Sequence, residues 1–329
     1  MPVMKKALEE TSLAMILVYG RAKTQKTTWA LRAAEEGYNV IMADMDYSFQ
    51  VAQNLSPAAQ ARIYHLDMRM ATGEANNSGA LTLLKAAEGQ VVYFDEELRK
   101  YVSPAKTEPE RSYTKIDFTK LTDRDVLVVD SWTALCTAMS LATAGVTDPT
   151  AISKLEWDDY AKIRLALDHF IQNLTKLNCH VIVVGHSETY AKRKPDAKSK
   201  DKPEDAIESV RVQPMSISRA HAETLAKNFT DVLLATRKNA SLPTTLSSKG
   251  SEDFDAGSRA MPPGSHKLDE TKFSIFASPA SLAKVANNAE FSSAALTTMS
   301  GEEIQASRGK SATIPTGKSP ISLSTLGKK

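Results

Sequence analysis

Short apolar runs, each stopped by a glycine or by charged residues, recur along this chain. Leu13-Ala-Met-Ile-Leu-Val-Tyr19 ends at Gly20, and a run bounded by a turn signal predicts a buried strand. Thr27 to Glu36 predicts a helix, with Gly37 at the C-cap position. Tyr38 to Ala43 predicts a second buried strand, followed by Asp44 and Asp46, and Ala61 to Leu66 a short third. Strand, helix and strand in this order predict a parallel sheet with helical crossovers, an α/β architecture.

Residues 68–122 read as an insertion. Within it Ala80 to Ala87 is helical in pattern. Val91 to Phe94 and Arg99 to Val102 pair as a hairpin inserted in the main sheet, and Ser103 to Ser112, charged and proline-bearing, is a loop. Asp125 to Asp130 is again a buried strand, ending in an aspartate and followed by a loop rich in Thr and Ala. Helical periodicity then runs from Leu155 to Leu177, and His180 to Gly185 is a strand ending in His186, Ser187 and Glu188. Residues 190–210 read as a mobile Lys-rich loop, Ser216 to Asn228 as a helix, Phe229 to Thr236 as a strand and Lys272 to Phe276 as one more. Beyond residue 276 the composition turns to Ser, Ala, Thr, Gly and Lys. Such a segment buries too little apolar surface to offset its ordering entropy, so 1–276 is the predicted domain and 277–329 a disordered tail.

Charge narrows the function classes only slightly. Lys and Arg total 41 against 39 Asp and Glu, a net of +2, which argues against a wholesale polyanion binder but leaves room for a local basic groove. Cys136 and Cys179 form no Cys-x-x-Cys pair and both lie in or beside apolar runs, so a reducing cytosol is the expected compartment. The sequence shows no apolar stretch of about 18 residues and no signal-peptide h-region, so a soluble, cytoplasmic protein without a membrane partner is expected.

The chemistry concentrates where the first strand meets the first helix. Gly20-Arg21-Ala22-Lys23-Thr24-Gln25-Lys26-Thr27-Thr28 matches G-x-x-x-x-G-K-[ST] at every defining position except the second glycine, which is Gln25. Backbone N–H groups at such a helix start hold phosphate oxygens, Lys26 reaches the β- and γ-phosphates, and the Thr27 hydroxyl takes a place on Mg²⁺. A side chain at position 25 restricts how closely phosphate approaches. ATP and Mg²⁺ are therefore the expected ligands.

Polar residues at the ends of the other strands complete the pattern. Asp130 is placed to hold Mg²⁺ directly or through water. Asp46, chosen over Asp44 on the same strand end, is placed to orient or deprotonate the water that attacks the γ-phosphate. His186 is either a structural residue or a polar group that hydrogen-bonds the γ-phosphate. Ligands of open parallel sheets bind beyond the carboxyl ends of the strands, so Gly20, Asp46, Asp130 and His186 are expected to converge. None of the six histidines shows metal-ligand spacing.

Val18 to Thr28, Val-Val-Asp130-Ser131, Trp157-x-x-Tyr160 and Val-Ile-Val-Val-Gly-His186-Ser-Glu188 together resemble the phage-encoded, RecA-like AAA-domain P-loop NTPases, a family that includes Sak-type single-strand annealing proteins. The likeness covers roughly residues 12 to 276. It implies a RecA-like core with a mostly parallel central sheet flanked by helices, ATP and Mg²⁺ as cofactors, and a role in phage DNA recombination or replication with single-stranded DNA. It also implies that Lys26 and Thr27 are the phosphate-loop pair, Asp130 the Walker-B aspartate, Asp46 the catalytic carboxylate and His186 the sensor.

No DNA-binding motif stands out. Lys192, Arg193, Lys194, Lys198, Lys200 and Lys202 form either a strand-contacting loop or a solvated one, since Asp196, Asp201, Glu204 and Asp205 lie among them. RecA-like ATPases often assemble, so a homo-oligomer is expected, with Arg259 either an ordinary surface residue or a cation supplied to a neighbour's site; Arg237 and Lys238 also follow late strands. A single-strand-binding or other replication protein is a further possible partner. Three classes remain: an ATP-dependent DNA recombination or annealing protein, a weakly hydrolysing nucleotide-binding module that regulates a replication or packaging partner, which Gln25 favours, and a small-molecule kinase, for which an Arg-rich lid is missing.

Overall fold

The computed structural model describes residues 13–69, 79–145, 155–193, 207–239, 241–251, 253–278, 285 and 294–308. In chain order these form β1 (Met15–Gly20), α1 (Lys26–Leu31), β2 (Asn39–Asp44), α2 (Pro57–Gln60), β3 (Ile63–Asp67), α3 (Gly79–Ala87), β4 (Val92–Asp95), β5 (Lys100–Val102), β6 (Ser112–Ile116) and β7 (Asp125–Asp130). They continue as α4 (Trp132–Ala144), α5 (Trp157–Leu174), β8 (His180–Arg193), β9 (Ile207–Pro214), α6 (Arg219–Leu225), β10 (Asp231–Thr236), β11 (Thr245–Ser247), β12 (Lys249–Ser251), β13 (Phe254–Gly257), β14 (Ser265–Lys267), β15 (Leu296–Ser300) and α7 (Gly301–Arg308).

Six strands make a parallel core in the order β3-β2-β7-β8-β1-β10. β1, β2 and β7 are buried along their whole length, which is why they read as continuous apolar runs rather than alternating ones. Side chains alternate between two cores. Leu17, Ile41, Leu127 and Val183 pack on one face with α3, α4 and α5, while Ile16, Val40, Val128 and Ile182 pack on the other with α1 and Phe273. Antiparallel strands β11, β14, β13 and β9 extend the sheet beyond β10 and along the outer half of β8. Among the described residues, no helix is long and apolar enough to cross a membrane.

Several segments differ from the sequence reading. The hairpin at 91–102 forms as β4 and β5, but in a separate four-stranded sheet ordered β15-β6-β4-β5, not in the main one. The predicted loop after Asp130 is the helix α4. Ser131 caps it by accepting the N–H of Ala134 at 3.2 Å, and Trp132, Leu135, Cys136 and Met139 bury one face. Lys272 to Phe276 is not a strand: Glu36 accepts the N–H groups of Phe273 at 2.6 Å and Ser274 at 2.8 Å, which fixes a 3₁₀ turn over Phe273–Phe276.

The Lys-rich segment is not a loop from end to end. Its flanks pair as antiparallel strands, from Ser187 opposite Pro214 to Arg193 opposite Ile207, so β8 and β9 form a two-stranded arm continuous with the sheet. Lys194, Lys198, Lys200 and Lys202 lie outside the described residues. The expectation of disorder after residue 276 fails over 294–308, where β15 adds to the edge of β6 and Leu296 and Ile304 are buried. Composition misses this because two apolar anchors suffice once a neighbouring edge supplies the backbone bonds. Residues 309–329 lie outside the description.

Candidate nucleotide site

The register of the parallel core brings the polar strand ends to one edge. Gly20 stands beside Ala235 of β10 and His186 of β8, and Asp44 stands between Asp130 of β7 and Asp67 of β3. β8, interposed between β1 and β7, sets His186 between the loop and Asp130. Gly20 admits no side chain, because a Cβ there would lie 2.2 Å from the carbonyl oxygen of Ala235.

Between Gly20 and α1 the loop turns twice through left-handed backbone, at Lys23 (φ 63°) and Gln25 (φ 58°). Such turns gather successive N–H groups into a concavity for anions. Gln25 thus occupies the position where the motif has glycine, in the conformation glycine favours, and its amide oxygen accepts the Thr244 hydroxyl at 3.3 Å. Arg21, Ala22 and Lys23 are exposed, Thr24 is buried, and Thr28 is half-buried on α1.

Lys26 is buried, its Nζ donating to the carbonyls of Gly20 at 3.0 Å and Arg21 at 2.9 Å and to the Thr24 hydroxyl at 3.3 Å. Burial pulls its pKa down to about 8, against the opposing pull of Asp130 and Asp46. The Thr27 hydroxyl donates to Asp130 Oδ2 at 2.5 Å, and the Ser48 hydroxyl donates to the same oxygen at 2.7 Å. Burial raises the Asp130 pKa, with the nearby Asp44 and Asp46 adding to the effect and the two hydroxyls opposing it. A carboxylate held this way, crowded by two others and ringed by hydroxyls, fits a small hard cation. Among the described residues no group of three or more His, Cys, Asp or Glu could hold a metal. Mg²⁺ bound with nucleotide needs only one or two protein ligands, and Thr27 and Asp130 would supply them.

Asp44 and Asp46 differ in what surrounds them. Asp44 is fully buried and accepts the N–H groups of Asp46, Ser48 and Phe49, each at 3.1 Å, and stands 3.0 Å from His65 Nε2. Burial works to raise its pKa, but the His65 ring and these N–H groups outweigh it and leave it low. Asp46 is exposed, receives the Ser131 hydroxyl at 2.6 Å and lies 3.3 Å from His186 Nε2. The contact with His186 is the largest cause of its lowered pKa, aided by Ser131 and Lys26 against burial. The His186 backbone is fixed in turn, its N–H donating to Thr133 at 3.0 Å and its carbonyl accepting the Met215 N–H at 2.7 Å.

Lys26, Thr27, Asp46, Asp130 and His186 therefore meet at one sheet edge. Arg259 does not join them. Its backbone N–H donates to Asp231 at 2.9 Å, at the opposite end of β10 from the Gly20 edge, whereas Arg237 and Lys238 follow β10 on the near side. Sequence reasoning missed Ser48, Ser131 and Thr133. Ser131 carries a signal, a serine directly before a helix, whereas Ser48 is tied to Asp130 only by the folded turn after β2.

A phosphate loop ahead of a helix, with a buried aspartate bonded to the loop threonine at the end of a parallel strand one place removed in the sheet, defines a P-loop nucleotide-binding protein. A family model described as AAA domain matches residues 12–260. The chain belongs to that family, whose members are nucleotide-binding NTPases of α/β fold. No curated protein matches the chain.

Proposed function

We propose that this protein is a RecA-like, Mg²⁺-dependent ATPase that acts on single-stranded DNA in recombination or replication, as an annealing or strand-binding protein of phage type. The observation that carries the reading is the joined pair Thr27–Asp130 with Asp46–His186 set beside it. The first pair suits a phosphate-bound Mg²⁺, and the second suits the water and γ-phosphate beyond it. In this reading Lys26 neutralises the β- and γ-phosphates. Asp46, held by Ser131 and His186, orients the attacking water, and His186 changes partner when the γ-phosphate is present. The DNA half of the reading is supported by the resemblance and by the β8–β9 arm, which leads from His186 to the Lys-rich segment.

A second reading, a nucleotide-binding switch or scaffold that turns over slowly, is favoured by Gln25. Its side chain stands at the mouth of the loop, tied to Thr244. ATP turnover with Mg²⁺, with and without single-stranded DNA, separates the two. Turnover that rises with DNA and vanishes in Lys26→Ala supports the ATPase. Nucleotide binding without turnover removes the motor reading and leaves the switch.

A further inference from the structure

Away from the phosphate loop, a cavity of about 720 Å³ opens between β9, β10, β13 and the turn that joins α6 to β10. None of the proposed ATP-site residues lines it. Its volume lies in the range of ligand pockets, about 300–1,000 Å³. The half-buried Phe254 and the buried Phe229 contribute apolar surface to its wall.

The wall is also charged, and unevenly. Arg211 pairs with Asp255 at 2.5 Å, and Glu223 is taken by Arg219 at 3.0 Å. Those contacts occupy the wall's own carboxylates, so the exposed Lys227 and Arg259 carry an excess of positive charge beside the ring-sized apolar surface. Lys and Arg grouped in this way favour phosphate.

The Arg211–Asp255 pair is incomplete. The guanidinium uses its terminal nitrogen, while Arg211 Nε and Asp255 Oδ2 are buried with no hydrogen-bond partner. A native structure rarely leaves both a donor and an acceptor unused at one place. Both residues line the cavity, with side chains 37% and 27% exposed. An acceptor beside a donor along one planar edge is the pattern a nucleobase presents.

We propose that this cavity is a second nucleotide site, separate from the phosphate loop. It takes the base against Phe229 and Phe254, the base edge at Arg211 and Asp255, and the phosphate at Lys227 and Arg259. The same chemistry is met by a free mononucleotide and by one unit of a single strand.

Gly257 provides a clean test. It lines the cavity, its backbone is not in the left-handed region, and a Cβ there would meet nothing within 4 Å. Gly257→Phe fills the cavity, and the paired surface change Lys227→Glu with Arg259→Glu removes the charge without touching the core. Calorimetric titration with AMP, and separately with a thymidine 15-mer, is run on the full chain, on Lys26→Ala and on both cavity variants. The expected result is that Lys26→Ala still binds AMP, the 15-mer or both within about twofold of the unchanged chain, and that each cavity variant weakens this binding tenfold or more while ATP still binds at the loop. AMP binding identifies a free nucleotide as the ligand, and 15-mer binding alone identifies a strand unit. Two results overturn the proposal: neither probe binds Lys26→Ala, or the charge-reversed variant binds as the unchanged chain does. Either can occur with the phosphate-loop reading intact, because that reading is tested by the loss of ATP turnover in Lys26→Ala.

Discussion

Thr27 and Asp130, 103 positions apart, share a hydrogen bond of 2.5 Å from hydroxyl to carboxylate. That bond holds the start of α1 against the end of β7. It also marks where a divalent cation would enter, since both oxygens are hard donors. Thr27→Ala is expected to leave metal-free ATP binding nearly unchanged and to lower the gain from Mg²⁺ by about 10- to 100-fold. Titration of ATP with and without Mg²⁺ reads the difference, and an unchanged Mg²⁺ gain would place the metal elsewhere.

Lys26 gives the site a pH limit. Its pKa of about 8 in the free protein means that the ammonium is intact below pH 8 and lost above it. Bound phosphate stabilises the charged form, so binding above that pH takes up a proton. ATP affinity is expected to be flat below pH 8 in this respect and to fall by up to about tenfold per pH unit above it. Affinity that stays level to pH 9.5 would contradict the buried environment of Nζ.

Gln25→Gly removes a side chain from a left-handed residue. Relief of this conformation contributes about 1 kcal/mol, against a weak contact to Thr244 that is lost. Thermal denaturation is expected to show a midpoint higher by about 2–4 °C. A lower midpoint would mean that the Thr244 contact dominates. If the Gln25 side chain restrains turnover, the same variant hydrolyses ATP faster.

Asp44 and Asp46 are expected to separate stability from activity. Asp44→Ala leaves three N–H groups and His65 without their acceptor, at a cost of about 3 kcal/mol or more in chemical denaturation. Asp46→Asn, on an exposed residue, is expected to shift stability by less than about 0.5 kcal/mol and to slow hydrolysis by about 100-fold or more. Equal losses in both properties for both variants would refute the division of labour.

Ile304 tests whether the C-terminal segment belongs to the fold. It is fully buried with Val102 and Tyr113. Ile304→Ala is expected to cost about 2–4 kcal/mol, read as faster amide exchange in β6 and β15 while β1 and β7 stay protected.

The parallel core was legible because β1, β2 and β7 are buried on both faces and so carry unbroken apolar runs, as in Ile16 to Tyr19 and Val126 to Val129. The phosphate loop and the aspartate at the end of β7 were legible because their residue types are set by chemistry at fixed places along the chain. What escaped depends on partners distant in sequence. β15 exists through the edge of β6, the 3₁₀ turn at Phe273 through Glu36, and the outer half of β8 through β9. The helix α4 was masked by alanine and threonine, which carry little periodicity, and its capping serine followed an aspartate already assigned a role. Asp44 and Asp46 look alike in sequence, and only the turn that Asp44 gathers around itself tells them apart.

β8 enters the core at His180, passes the site at His186 and continues paired with β9 to Arg193, its register shifting between Lys192 and Arg193. At about 3.3 Å per residue, the stretch from His186 to Arg193 spans some 23 Å. The strand is braced sideways by β9 along that length, and its register shifts only near the far end. A tilt of a few degrees about His186 would sweep the far end of the arm through more than an ångström, as a pointer magnifies a small turn at its pivot.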